Sequence, residues 1–194
     1  MTTLVMKFGG KSLKTPKHID RVVEIIISKL EAYSHITVVT SAMGNMTDKL
    51  IKLAYQVSPN PSLRELDMLV SVGERISMSL LAMALQKKGI QAISLTGSQS
   101  GIHTCGKHSN ARIIHVNPMR IKDHQKEVKV VIVAGFQGVS LKKEITTLGR
   151  GGSDTSAVAM GLALKAKKVE FYKDVAGVHR QDPKKGKKTQ IYTT

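Results

Sequence analysis

Apolar residues near the start of the chain change period. Val5 to Phe8 form a short continuous run closed by Gly9 and Gly10, whereas Ile19, Val22, Val23, Ile26 and Leu30 recur at helical spacing. The pattern predicts strand, glycine turn, helix. Ile36 to Val39 is a second β-branched run, followed by a Gly- and Asn-interrupted loop from Ala42 to Asp48 and helical spacing at Leu50, Leu53 and Ala54. Ser58 to Pro61 breaks the chain, after which Leu63 to Lys87 reads as one long helix stopped by Gly89, and Ile90 to Leu95 as a strand. Ile113 to Val116 predicts a strand, Asn117 and Pro118 a helix start at the N-cap and first helical position, and Val128 to Ala134 a buried strand. Gly135 and Gly138 punctuate a hairpin before Ile145 to Leu148. A glycine loop, Gly149 to Gly152, then leads into a helix from Ser153, its expected N-cap, to Ala166, and Val169 to Tyr172 is a last strand.

Strands alternating with helices predict an α/β fold, a three-layer sandwich with a mostly parallel central sheet covered on both faces. After Tyr172 comes a Gly-, Pro- and Lys-rich tail with no element to cover the last strand, so the carboxyl-terminal part of the domain is expected to be missing.

At 194 residues, 41% hydrophobic and with five prolines, the chain fits a single globular domain over 1–194 with a real core. Cys105 stands alone, so an oxidising compartment is not indicated, and a half-buried thiol is expected. The opening strand leaves no room for a signal peptide, and no apolar run is expected to reach the ~20 residues of a membrane helix, which predicts a cytoplasmic protein without a membrane partner. A net charge of +16 draws anions of any kind, and Lys165, Lys167, Lys168, Lys173, Lys184, Lys185, Lys187 and Lys188 concentrate it late in the chain, where a solvated face is expected. Nucleic acid is disfavoured, because three Phe, four Tyr and no Trp leave few platforms for stacking bases.

Gly149, Gly151 and Gly152 directly before a helix present bare backbone N–H groups and a helix dipole to an anion, and phosphate is the natural guest. The loop is neither G-x-x-x-x-G-K-[ST] nor G-x-G-x-x-G, which argues against a P-loop and a dinucleotide fold. Lys7, just before Gly9 and Gly10, places an ammonium within reach of phosphates at the first glycine corner. Both corners are expected at the carboxyl edge of one sheet, one bearing Lys7, the other Arg150 and Asp154.

The order of segments resembles the amino-acid kinase fold and, within it, the aspartate kinases. K-F-G-G at Lys7, S-A-M-x-x-x-T-D from Ser41, D-M-L from Asp67, G-E-R-I-S from Gly73, T-G-S-Q from Thr96, N-A-R-I from Asn110, G-F-Q-G from Gly135 and T-L-G-R-G-G-S-D-T from Thr147 occur in that family's order. The resemblance implies transfer of the γ-phosphoryl of ATP to the side-chain carboxylate of L-aspartate, with Mg²⁺, at the first step of lysine, threonine and methionine synthesis. It implies that Lys7 stabilises the transferring phosphoryl and that Asp154 orients lysines. Arg150 would clamp the α-carboxylate of aspartate, Glu74 would pair with its α-ammonium, and Ser41 and Thr47 would supply hydroxyls. ATP would lie on Lys7, Gly9, Gly10, Gly151, Gly152 and Ser153, and on Lys173, Asp174, His179 and Lys184; no residue is assigned as a metal ligand. The last four belong to a segment the family writes T-D-V-x-G-[VI]-Y-x-x-D-P-R, where Lys173, His179 and Lys184 here replace Thr, Tyr and Arg. Lys11 stands where the family continues with Thr or Ser, adding charge beside the phosphate site or blocking it. The family's later, second phosphate-directed lysine and its regulatory ACT domains have no counterpart, and a homo-oligomer or partner chain is expected. The alternative reading is a catalytically impaired relative that binds nucleotide or aspartate.

Overall fold

A computed structural model of the chain describes residues 2–173. Five parallel strands form the central sheet in the order β3-β6-β2-β1-β9, where β1 is Thr3–Phe8, β2 His35–Thr40, β3 Ala92–Leu95, β6 Val130–Ala134 and β9 Lys168–Tyr172. Registers align the carboxyl ends: Phe8 lies opposite Thr40 and Tyr172, and Thr40 opposite Ala134. The turns that follow these ends therefore gather on one edge, the usual position of a ligand crevice in open α/β sheets.

Strand alternation sorts the two faces. Leu4, Met6, Phe8, Ile36, Val38 and Ile132 pack against α1 (Pro16–Ile27) and α4 (Val72–Lys87), through Val22, Val23, Ile26, Leu81 and Leu85. Val5, Val39, Val131 and Val133 face α5 (Met119–His124) and α6 (Gly152–Ala163), through Ile121, Ala157 and Met160. Lys7 shares the parity of Val5, so the pleat turns its side chain toward α6. The expected three-layer sandwich is present. Beside it lies an element the sequence reading did not foresee, a four-stranded mixed sheet β5-β4-β7-β8 built from β4 (Ile102–Thr104), β5 (Ile113–Val116), β7 (Gln137–Ser140) and β8 (Ile145–Thr147). The expected hairpin is β7–β8, and Gly138 lies inside β7 because a Cβ there would come within 2.7 Å of the Ile102 carbonyl oxygen.

The long helix expected over Leu63 to Lys87 is instead α3 (Leu63–Val70) and α4, broken at Ser71. There the Ser71 hydroxyl donates to the Met68 carbonyl at 3.0 Å and the Gln137 amide donates to the Ser71 carbonyl at 2.8 Å, which diverts the helical ladder. Contrary to expectation, this 25-residue stretch contains an 18-residue window with a mean hydropathy of 1.5, long and apolar enough to cross a membrane by length and composition only. Half of its most apolar window is buried inside the fold, against α1, β3 and β6. Gly89 ends α4 at φ 77° in a Schellman arrangement, with Ile90 N–H donating to Leu85 O at 3.1 Å and Gly89 N–H to Gln86 O at 2.9 Å; β3 accordingly starts at Ala92 and not at Ile90. Helix α5 starts at Met119 with Pro118 at its N-cap, one residue later than the expected Asn117 N-cap and Pro118 first position; Asn117 Oδ1 still accepts the Met119 N–H at 3.2 Å from just outside the helix.

Two further boundaries move. Helix α6 starts at Gly152, and its N-cap is Gly151 at φ 78° instead of Ser153. Ser153 thus falls inside the first turn. It ends at Ala163, short of Ala166, because Lys165 adopts φ 51° after the C-cap Leu164. Cys105 is half-buried as expected, its sulfur accepting the Arg112 N–H at 3.2 Å.

Candidate active site

Three corners meet at the carboxyl edge of the sheet and enclose a cleft of about 460 Å³. The first follows β1. Gly9 N–H donates to the Tyr172 carbonyl at 3.1 Å, and Gly10 packs so closely on the second corner that a Cβ would lie 2.5 Å from the Ala42 oxygen and 3.0 Å from that of Gly44. Because both obstacles are backbone, Gly10→Ala must push the Ser41–Gly44 turn out of the cleft. We expect it to lower turnover by more than tenfold and to lower the melting temperature, measured by steady-state kinetics and differential scanning fluorimetry.

The second corner joins β2 to α2 (Met46–Val57) and is held by the start of α4, which accounts for the G-E-R-I-S segment. Gly73 lets the helix approach, since a Cβ there would sit 2.8 Å from Ala42 Cβ. Glu74 Oε1 accepts the Ala42 N–H at 3.0 Å, and the Ser77 hydroxyl donates to the Ser41 carbonyl at 2.8 Å. Glu74 is only 3% exposed and its Oε2 has no partner among the described residues. Burial pushes its carboxyl up to about 7, against the opposing pull of the Ala42 N–H, its own backbone N–H and the Lys7 charge. A buried carboxylate oxygen left open on a cleft is a receptor for a cation.

The third corner is the β8–α6 loop together with the first turn of α6, residues Gly149 to Asp154. Gly151 takes the left-handed conformation that starts the helix, and Gly152 cannot carry a side chain, because a Cβ would meet Leu148 Cβ at 2.6 Å. The N-terminus of α6 opens on the cleft, the anion-binding geometry its glycines predict. Arg150 stands exposed at the rim, and no partner engages its guanidinium among the described residues.

Lys7 reaches across from β1 to the first turn of α6, its Nζ 2.7 Å from Asp154 Oδ1, at ion-pair distance though not aligned as a directed hydrogen bond. Lys173, the residue after β9, contacts Asp154 Oδ2. One carboxylate thus bridges two ammonium groups, one buried and one at the surface. Burial works against ionisation of Asp154, but the Lys173 hydrogen bond and the charges of Lys7 and Lys173 outweigh it and hold the carboxyl below its ordinary range.

Lys7, Gly10, Ser41, Thr47, Glu74, Arg150, Gly151, Gly152, Ser153 and Asp154 all line the cleft. Gly9 adjoins them, its nearest side-chain atom being Lys7 Nζ at 3.8 Å from a built Cβ. Asp174, His179 and Lys184 lie outside the described residues. Lys11 is exposed on the 3₁₀ turn Gly10–Leu13. Of the late lysines, Lys165, Lys167 and Lys168 are exposed, Lys168 pairing with Glu170 at 3.0 Å, while Lys173 is drawn into the site. Among the lining residues to which sequence reasoning gave no role are Ser109 and Phe136, both at positive φ (61° and 66°) without being glycine. No periodicity announces such backbone.

A sequence model of the amino acid kinase family matches residues 2–194. The chain is 51% identical to the aspartokinase of Geobacillus stearothermophilus over 184 residues, which is 95% of this chain and 45% of that protein. It spans less than half the length of this and the other curated relatives it matches. The aspartate kinase structure from Synechocystis superposes with a TM-score of 0.79 at 48% identity, over 96% of this chain and 31% of that one. E. coli aspartokinase III in complex with aspartate and ADP shares the fold, with a TM-score of 0.85 at 24% identity over 97% of this chain and 53% of that one.

Proposed function

Because this chain belongs to the amino acid kinase family, we propose that its cleft transfers the γ-phosphoryl of ATP to the side-chain carboxylate of L-aspartate, giving 4-phospho-L-aspartate and ADP. The observation that carries the reading is one cleft holding a Lys7–Asp154–Lys173 bridge beside an unpartnered buried Glu74 oxygen and an unengaged Arg150. Its relatives at about 50% identity are aspartokinases, and one structural neighbour binds aspartate and ADP.

The acceptor chemistry dictates what such a site must supply. A carboxylate with an ordinary pKa of about 3.9 is already ionised at neutral pH, so no base is needed to activate it. A side-chain oxygen of aspartate forms a bond to the γ-phosphorus while the bond to the β,γ-bridging oxygen breaks, and ADP leaves with that electron pair. The obstacle is an anion approaching an anion, which positioned cations relieve. Glu74 takes the α-ammonium of aspartate, Arg150 its α-carboxylate as a planar fork, and Ser41 and Thr47 add hydroxyl contacts. The remaining carboxylate then faces Lys7. Gly9, Gly10, Gly151, Gly152 and Ser153 hold the phosphates, and Asp174, His179 and Lys184 are kept for the nucleoside. Among the described residues no three His, Cys, Asp or Glu side chains cluster, and Asp154 is taken by two lysines, so Mg²⁺ would arrive on the phosphates of ATP and no step is routed through it. Substrates of this kind place the protein in the cytoplasm, acting in amino-acid biosynthesis, and assembly with a second copy or a partner chain belongs to the same proposal.

Lys173 deepens the reading. Its ammonium occupies the second arm of Asp154 at the end of β9, where it acts as the second phosphate-directed cation. Lys173→Thr is expected to lower kcat by about tenfold. Faster turnover in that variant would mean that Lys173 obstructs nucleotide, and would favour the impaired relative. The test of the function itself is ADP release by the purified chain with ATP, coupled to NADH oxidation: the reading requires dependence on L-aspartate and none on glutamate.

A further inference from the structure

Outside the residues assigned above, the most heavily engaged polar group among the described residues is the carboxylate of Asp67 on α3, which is fully buried. Its Oδ1 accepts from Ser109 N–H at 3.0 Å, Ser109 Oγ–H at 3.3 Å and Thr147 Oγ1–H at 2.5 Å. Its Oδ2 accepts from His108 Nδ1–H at 2.8 Å, Ser109 N–H at 3.0 Å and Thr147 N–H at 3.1 Å. Five donors converge on two oxygens, so only a group that accepts through both satisfies them; an asparagine amide would aim its own N–H bonds at donors.

The donors belong to the wall of the cleft. Ser109 lines it and is held at φ 61°, a conformation a serine adopts only where its surroundings fix it. Thr147 lies three residues before Arg150, and the two segments are locked together: Ala111 N–H donates to Thr147 O at 2.9 Å, and Asn110 Oδ1 fills the space a Cβ on Gly149 would need, 2.8 Å away. Asp67 also sits seven residues before Glu74 on the same bent helical rod. One rod therefore carries the receptor for the α-ammonium and the brace for the loop that presents Arg150.

We propose that Asp67 is a positioning residue for amino-acid recognition: it fixes the separation between Glu74 and Arg150, and through it the affinity for the acceptor and not for the nucleotide. This rests on the assignment of Glu74 and Arg150 to the acceptor. A displacement of about 1 Å in such a clamp costs up to about 100-fold. Asp67→Asn is expected to raise KM for L-aspartate by tenfold or more while KM for ATP changes less than twofold. Thr147→Val, which removes only the hydroxyl donor, should do the same more weakly in a protein that still folds. Equal changes in both KM values, or a loss accounted for entirely by a smaller folded fraction with both KM values unchanged, would overturn the proposal. Amide hydrogen exchange separates it from the function itself: with no substrate present, Asp67→Asn should deprotect residues 108–111 and 147–150 and leave β1, β2 and β6 unchanged. Unchanged protection in those two segments would refute the brace whether or not the wild-type chain makes aspartyl phosphate.

Discussion

Lys7→Ala is expected to lower kcat for aspartyl phosphate formation by about 100- to 1,000-fold, the usual loss when one fixed electrostatic contact to a developing charge is removed. Lys7 is 6% exposed and emerges on the α6 face of β1, so its ammonium is aimed by the pleat of a central strand rather than by a loop. Asp154 keeps Lys173 as a partner in the variant, so the fold should survive with both KM values little changed. Asp154→Ala should cost at least as much, because both ammonium groups lose their anchor at once. The double variant should be no worse than the worse single one, the non-additivity expected of residues acting as a unit. Steady-state kinetics on the three variants at saturating ATP would check this, and additive losses would show that Lys7 and Asp154 work separately.

Glu74→Gln should make the protein more stable and a poorer enzyme, with a pH dependence that identifies the cause. The carboxyl titrates near 4.5 in an unfolded chain and at about 7 when folded. A folded-state value above the unfolded one means that this group contributes stability fully below about 4.5, and that the contribution is lost as pH rises through about 7. The displacement corresponds to about 3 kcal/mol as an upper bound. At pH 8 the glutamine variant escapes that cost, keeps an oxygen for the Ala42 N–H, and should melt several degrees higher by differential scanning calorimetry; at pH 4 the difference should vanish. Function moves the other way. Without the charge, KM for aspartate should rise by about 10- to 100-fold, the loss of a charge-assisted hydrogen bond. In the wild type KM should climb as pH falls below 7, whereas in Glu74→Gln it should stay flat. A variant no more stable at pH 8, or one with unchanged KM, would remove Glu74 from the binding site.

The main sheet was legible because each strand carries its own signal. Val5 to Phe8, Ile36 to Val39 and Val128 to Ala134 are apolar runs bounded by turn residues, and parallel strands buried on both faces read in that way. The glycine corners were legible too, since Gly10 and Gly152 stand where a Cβ would strike neighbouring atoms within 2.6 Å. What escaped depends on tertiary partners. Ile102 to Thr104 is three residues long, too short for alternation to register, and becomes a strand only through β5 and β7. Nothing near Ser71 marks a break, because the amide that draws its carbonyl out of the ladder comes from Gln137. The end of α6 was read late because Lys165 takes a left-handed conformation without a glycine to announce it. Asp67 sat in view within D-M-L, yet its role depends on donors 41 to 80 residues away, which no local pattern encodes.

The central claim is tested most directly by trapping the acyl phosphate. Purified protein incubated with Mg-ATP, L-aspartate and hydroxylamine should yield aspartyl hydroxamate, detected as its coloured iron complex, and the product should require aspartate and disappear in Asp154→Ala. No hydroxamate from folded wild-type protein, or as much from the Asp154→Ala variant, would contradict the account.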